Sequence, residues 1–164
     1  AGGKGSTVSI GAKNHFTLGR DDYQRQDGPI RDGWPEGKNR HGGGDRDQGD
    51  VWNIKKPHKN DLHPTMKPVE LVERAVRNSS RPGDIVLDSF GGSGTTMIAS
   101  EKSGRKARLI ELDPKYVDVI VRRWQDYAGT QATRQSDGVA FDAQVSEPGG
   151  LENREVVGRV ANET

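Results

Sequence analysis

The stretch Asp84–Asp113, DIVLDSFGGSGTTMIASEKSGRKARLIELD, decides the fold. Ile85, Val86 and Leu87 form a continuous apolar run, the pattern of a strand covered on both faces. Gly91, Gly92 and Gly94 follow at once, where the backbone must turn tightly and approach a ligand closely. Thr95 to Lys102 suits one or two helical turns, and Gly104 stops them. Ala107 to Leu112 reads as the next strand, delivering Glu111 and Asp113 to its carboxyl end. In doubly wound sheets an acid about 20 residues beyond a glycine turn holds a ribose. The unit therefore reads as α/β, with a nucleotide-type cofactor site.

The turn FGGSGTT narrows the ligand. A Gly-Ser linker is the plain alternative, and the flanking strand and helix argue against it. A phosphate-cradling loop needs Lys just after its last glycine, where Thr95 stands. A dinucleotide turn continues as G-x-G-x-x-G, and this one does not. What fits is a nucleoside cofactor without a pyrophosphate, such as S-adenosylmethionine, with the glycines allowing close approach and Glu111 taking two ribose hydroxyls.

Outward from this unit the signals fall off. Upstream, Leu71, Val72, Ala75 and Val76 form one helical stripe after Pro68, which suits a first helical position. Val51–Ile54 reads as a strand, with Trp52 and Ile54 on opposite sides of Asn53. Residues 1–50 are rich in Gly, Asp, Arg and Gln; they are expected to be irregular, with Val8–Ile10 and Phe16–Leu18 as short edge strands. Downstream, Asp113 suits an N-cap and Pro114 a first helical residue. Val117, Ile120, Val121 and Trp124 mark one helix face, ended by Gly129. Residues 130–164 lose all periodicity and read as a disordered tail. The expected divisions are 1–50, 51–129 and 130–164.

With 164 residues there is room for about one domain, and only 30% of them are hydrophobic, so a compact block with less ordered flanks is expected. The absence of Cys excludes disulfides and thiolate metal sites. His15, His41 and His58 lack metal-site spacing, so no metal is expected. No apolar run approaches a membrane span. The net charge of +1 neither favours nor opposes nucleic acid as a partner.

The string from His63 to Tyr127, beginning HPTMKP and passing through DSFGGSGTT to ELDPKY, resembles the C-terminal part of the DNA N4-cytosine/N6-adenine methyltransferase family. It is similar to the group whose cofactor motifs follow the catalytic motif, typically reading HPTxKP, a helix, D-P-F-x-G-S-G-T and a strand ending in an acid. Asn14 to Asp61 carries a weaker likeness to phage-type members, through Asp22-Tyr23, Gly33-Trp34 and Val51-Trp52 among others.

That resemblance implies a partial Rossmann-like sheet that binds S-adenosylmethionine. It also implies methyl transfer to the exocyclic amine of adenine N6 or cytosine N4 in double-stranded DNA, in the cytoplasm of a bacterial or phage-infected cell, in a restriction-modification setting. Carried over, Asp88, Phe90, Gly92, Ser93, Gly94 and Thr95 would wall the methionine part, and Glu111 would hold the ribose. His63, Pro64, Thr65 and Lys67 would close over the methionine end. Two departures stand out. Ser89 occupies the position of the family's Pro, and the catalytic D-P-P-Y occurs nowhere in these residues, so no catalytic residue is assigned. The chain is expected to be the cofactor half of such an enzyme, with catalysis encoded upstream of Ala1 and no activity of its own. A dinucleotide-binding Rossmann module and a non-catalytic relic or partner subunit stay open as alternatives.

Overall fold

The computed structural model describes residues 3–17, 25–36, 48–54 and 66–145. Two small sheets and four helices make up these residues. In the first sheet β1 (Gly3–Thr17) lies between β2 (Arg25–Pro35), antiparallel to it, and β3 (Val51–Asn53), parallel to it. Trp52 and Ile54 are buried while Asn53 is exposed, as their alternation predicts. Helix α1 (Val69–Ser79) follows, with Pro68 at its N-cap and not its first turn. The second sheet pairs β4 (Ile85–Asp88) with β5 (Lys106–Leu109) in parallel, and α2 (Thr95–Lys102) makes the crossover. Helix α3 (Pro114–Ala128) and a short α4 (Phe141–Val145) complete the order.

The first 50 residues depart from the expected irregular chain. Val8–Ile10 lies at the centre of a three-stranded sheet and not at an edge. The cue failed because an antiparallel ladder is held by backbone N–H and C=O groups, which Gly-rich and polar sequence carries as well as any other. The ladder from Gly3↔Pro35 to Thr17↔Arg25 is broken by register shifts between Gly5 and Thr7 and between Ala12 and Thr17. This sheet joins α1 through Arg74, whose guanidinium lies 4.7 Å from the Trp52 ring centroid and whose Nε donates to Gln48 Oε1 at 3.1 Å.

The tail expectation is corrected in part. Residues 131–145 fold back along α3: Thr133 bridges Ala140, Ala132 N donates to Gln125 Oε1 at 2.7 Å, and Phe141 is buried with Arg122 over its ring. One buried aromatic and one side-chain acceptor do here what helical periodicity would otherwise signal. Residues 146–164 lie outside the described residues.

Helix α3 begins as its sequence predicts, with Asp113 Oδ1 accepting from Lys115 N at 2.9 Å and Pro114 opening the first turn. It ends at Gly129 in the left-handed region. Its buried face, Ile120 and Trp124, rests on α2 and on the glycine turn, and Trp124 Nε1 donates to Glu101 Oε2 at 3.2 Å. Helix α2 is enclosed, with Thr95, Ile98, Ala99 and Ser100 all buried. Helix α2 packs on both strands of the β4–β5 sheet, whose face carrying Val86 and Leu109 is the less exposed one, and α3 packs on α2. The opposite face carries Ile85 at 64% and Leu87 at 65% exposure, so cover on both faces is not met within the described residues. The apolar run specifies a strand that wants two covered faces, but whether the second cover is present depends on chain beyond the run itself.

Ile120 explains two of the glycines. A Cβ at Gly94 would lie 3.1 Å from Ile120 side-chain carbons, and one at Gly91 would lie 2.9 Å from Ile120 Cδ1. Gly94 also has φ +75, and Gly129, at φ +66, has the same backbone strain with nothing within 4 Å. Gly94→Ala is therefore expected to cost about 2–4 kcal/mol from backbone strain plus overpacking, and Gly129→Ala about 1–2 kcal/mol from strain alone. Urea midpoints of the two variants check this, and equal losses would show that Ile120 yields without cost.

Candidate functional site

The carboxyl ends of β4 and β5 lie side by side, with Asp88 opposite Leu109. The chain leaving β4 rises through Ser89 and Phe90, folds at Gly91–Gly94 and enters α2. Backbone pairing holds the base of this turn: Gly91 N donates to Ile110 O at 2.9 Å and Gly94 N to Gly91 O at 2.9 Å. Gly92, at φ +52, needs the freedom of glycine for its conformation, and an added Cβ would meet nothing closer than 3.8 Å.

Two carboxylates grip the turn from either side. Asp88 Oδ1 accepts from Phe90 N at 3.0 Å, and its Oδ2 accepts from Thr96 Oγ1 at 2.6 Å, tying the strand end to the first turn of α2. Glu111, just past β5, accepts from Gly92 N at 2.7 Å through Oε2 and from Asp113 N at 3.0 Å through Oε1. The Asp113 N–H does most to hold the Glu111 carboxyl below its ordinary 4.5, with Gly92 and Leu112 N–H groups adding to it; burial and the nearby Asp88 charge oppose the shift. Glu111 is therefore ionised at neutral pH.

A polar chain runs behind the turn. Arg123, half-buried on α3, donates from Nη1 to Ser93 O at 2.8 Å and to Thr95 Oγ1 at 3.3 Å, with Ser93 Oγ at 3.5 Å. Ser93 Oγ and Thr95 Oγ1 lie 3.3 Å apart, and Thr95 Oγ1 donates to the Lys67 carbonyl at 3.3 Å. The N-cap Gly94 makes no side-chain bond and the first turn of α2 carries no acid of its own; the Asp88 carboxylate, bonded to Thr96 Oγ1, is the negative charge at this helix end.

Of the residues named from sequence, Asp88, Phe90, Gly92, Ser93, Gly94, Thr95 and Glu111 come together at this corner. Lys67 joins through its carbonyl, while its side chain is exposed. His63, Pro64 and Thr65 lie outside the described residues. Phe90 stands 89% exposed beside the turn. Sequence reasoning missed Thr96 and Arg123. The available signal for Arg123 was its spacing, three residues after Ile120 and one before Trp124, which sets a cation at the margin of a buried stripe.

The chain is similar to known methyltransferases. The chain is 40% identical over 83 residues to the type II methyltransferase M.Cfr9I of Citrobacter freundii, covering 51% of this chain and 28% of that protein. It is 42% identical over 79 residues to the DNA adenine methyltransferase YhdJ of Escherichia coli K12, covering 46% of this chain and 27% of that one. The chain thus spans little more than a quarter of the length of these curated relatives. Among solved structures, the M1.HpyAVI–SAM complex superposes with a TM-score of 0.65 at 25% identity, over 74% of this chain and 62% of that one. A family model described as DNA methylase, of the N6/N4 methyltransferase type, matches residues 13–122, about two thirds of the sequence. The chain belongs to this DNA methylase family.

Proposed function

We propose that the chain forms the S-adenosylmethionine-holding part of an enzyme that methylates adenine N6 or cytosine N4 in double-stranded DNA, in the bacterial cytoplasm. Bound at the corner, S-adenosylmethionine supplies an electrophilic methyl group on a sulfonium centre. The observation that carries the reading is the hydrogen bond from Gly92 N to Glu111 Oε2. A pyrophosphate would need that N–H and would meet a carboxylate in its place. The Gly92 and Asp113 N–H groups each bond a different Glu111 oxygen, and the carboxylate's acceptor sites outnumber the N–H groups around it, which leaves capacity for ribose hydroxyls. Asp88 stands close enough to Glu111 to oppose its ionisation, and two neighbouring carboxylates suit a cationic ligand and disfavour a phosphate-rich one. Residues 63–68, the arm before α1, would supply donors to the amino-acid end beside Thr95.

Acceptors for the target amine are a separate requirement, since D-P-P-Y is absent from the sequence. In this reading a further segment or partner supplies them. Exposed Ile85 and Leu87 support the same reading, because a parallel sheet ordinarily has both faces covered.

Calorimetry with S-adenosylmethionine is expected to show binding that falls about tenfold or more in Glu111→Ala, the loss of charge-assisted hydrogen bonds to two hydroxyls. Tighter binding of NAD than of S-adenosylhomocysteine would contradict the reading. Tritiated methyl incorporation into DNA by this chain alone is expected to be nil, and clear incorporation would refute the need for outside acceptors.

The depressed Glu111 pKa sets a pH dependence. Its carboxylate is better held folded than unfolded, so its contribution to stability is present above about 4.5 and is lost as pH falls through the lower folded value. Cofactor affinity follows the same course, flat from neutral pH to about 4.5 and falling below it. Glu111→Gln should remove this acid limb; a wild-type affinity that already declines well above 4.5 would place the controlling group elsewhere.

A further inference from the structure

We propose that Arg123 is the positioning residue for the anionic end of the bound ligand, acting through Ser93 and Thr95 on the glycine turn and on the Lys67 segment. The inference rests on the cofactor reading above and goes beyond it by assigning a role on α3 to a residue that the sequence reading did not name.

Arg123 has a half-buried guanidinium with neutral oxygen partners only: Ser93 O, Ser93 Oγ and Thr95 Oγ1. Among the described residues no carboxylate pairs with it, and burial opposes its charge without any compensating acid. A cation desolvated without an ion pair costs free energy, and a purely structural tie could be made by a neutral donor. Its hydrogen bonds also have direction. Arg123 donates into one of the two lone pairs of Thr95 Oγ1, whose hydroxyl donates to Lys67 O, 3.3 Å away. The two segments expected to face the amino-acid end, the turn at Ser93–Thr95 and the arm ending at Lys67, are thereby held in register by one side chain 28 to 30 residues downstream of the turn. The guanidinium contacts Ser93 and Thr95 at the start of α2, on a different side of the turn from the Asp88 and Glu111 carboxylates that bond Phe90, Thr96 and Gly92. Lys would not replace it fully: all three contacts are made by Nη1, one end of a weakly hydrated guanidinium, whereas an ammonium is a compact, strongly hydrated point charge.

The consequence is selectivity for a carboxylate-bearing ligand. S-Adenosylhomocysteine and 5′-methylthioadenosine share the nucleoside and the thioether, and only the first carries the amino-acid carboxylate. Calorimetry of both ligands on the full chain, wild type, Arg123→Met and Arg123→Lys, tests the proposal. In Arg123→Met, S-adenosylhomocysteine affinity is expected to fall about tenfold while 5′-methylthioadenosine affinity stays within about twofold; Arg123→Lys is expected to recover part of the loss. Should Arg123→Met fail to fold, Arg123→Lys alone carries the readout, with about a threefold loss confined to S-adenosylhomocysteine. Equal losses for both ligands, or no loss for either, would overturn the Arg123 role while leaving the cofactor site standing. A folded wild-type chain that binds neither ligand would overturn the cofactor reading and this proposal together.

Discussion

The corner of this protein depends on the hydrogen bond from Gly92 N to Glu111 Oε2 at 2.7 Å, across 19 residues, beside the backbone pairing of Gly91 N with Ile110 O. It closes a loop from the turn after β4 to the end of β5, so the glycine turn is fixed by the same carboxylate that would receive a ligand. A charge-assisted bond of this kind contributes on the order of 1.5–3 kcal/mol toward fixing a glycine-rich turn. The result is a site organised before anything binds.

The second constraint is steric. Ile120, 4% exposed, occupies the space in front of Gly91 and Gly94. Those glycines are needed for helix-to-turn packing, whereas Gly92 is the one whose N–H is donated to the acid. A sequence reading assigns all three to ligand approach; the structure divides the labour. Through Ile120, Arg123 and Trp124, helix α3 holds the turn from behind although none of these three was named as a site residue from the sequence. Helix α1 adds to it at a distance, since Thr95 reaches back to the Lys67 carbonyl and so couples the start of α1 to the turn.

How much of this was legible in the sequence follows the range of the interactions. The strand, turn, helix, strand and helix from Ile85 to Gly129 were readable because their determinants are local: an apolar run, three glycines, an Asp-Pro helix start and a Gly end. The meeting of Asp88, Gly92 and Glu111 was readable because strand geometry brings residues about 20 apart to one sheet edge. The grip of Asp88 on Thr96, the span of Arg123 and the role of Ile120 were not, since each depends on how elements stack. The β1–β2 ladder was missed because backbone pairing leaves little trace in Gly-rich, polar sequence. The exposure of Ile85 and Leu87 was missed because a strand's composition records the cover it needs and not where that cover comes from.

The central claim is that one corner, with Glu111 at its centre, holds a nucleoside cofactor without a pyrophosphate. Amide chemical shifts followed by two-dimensional NMR during titration of the chain with S-adenosylhomocysteine and, separately, with NAD test it most directly. The account predicts saturable shifts at the amides of Gly92, Ser93, Thr95, Glu111 and Asp113 with S-adenosylhomocysteine, and none at these positions with NAD. Shifts clustered on other elements, or the same response to NAD, would contradict it.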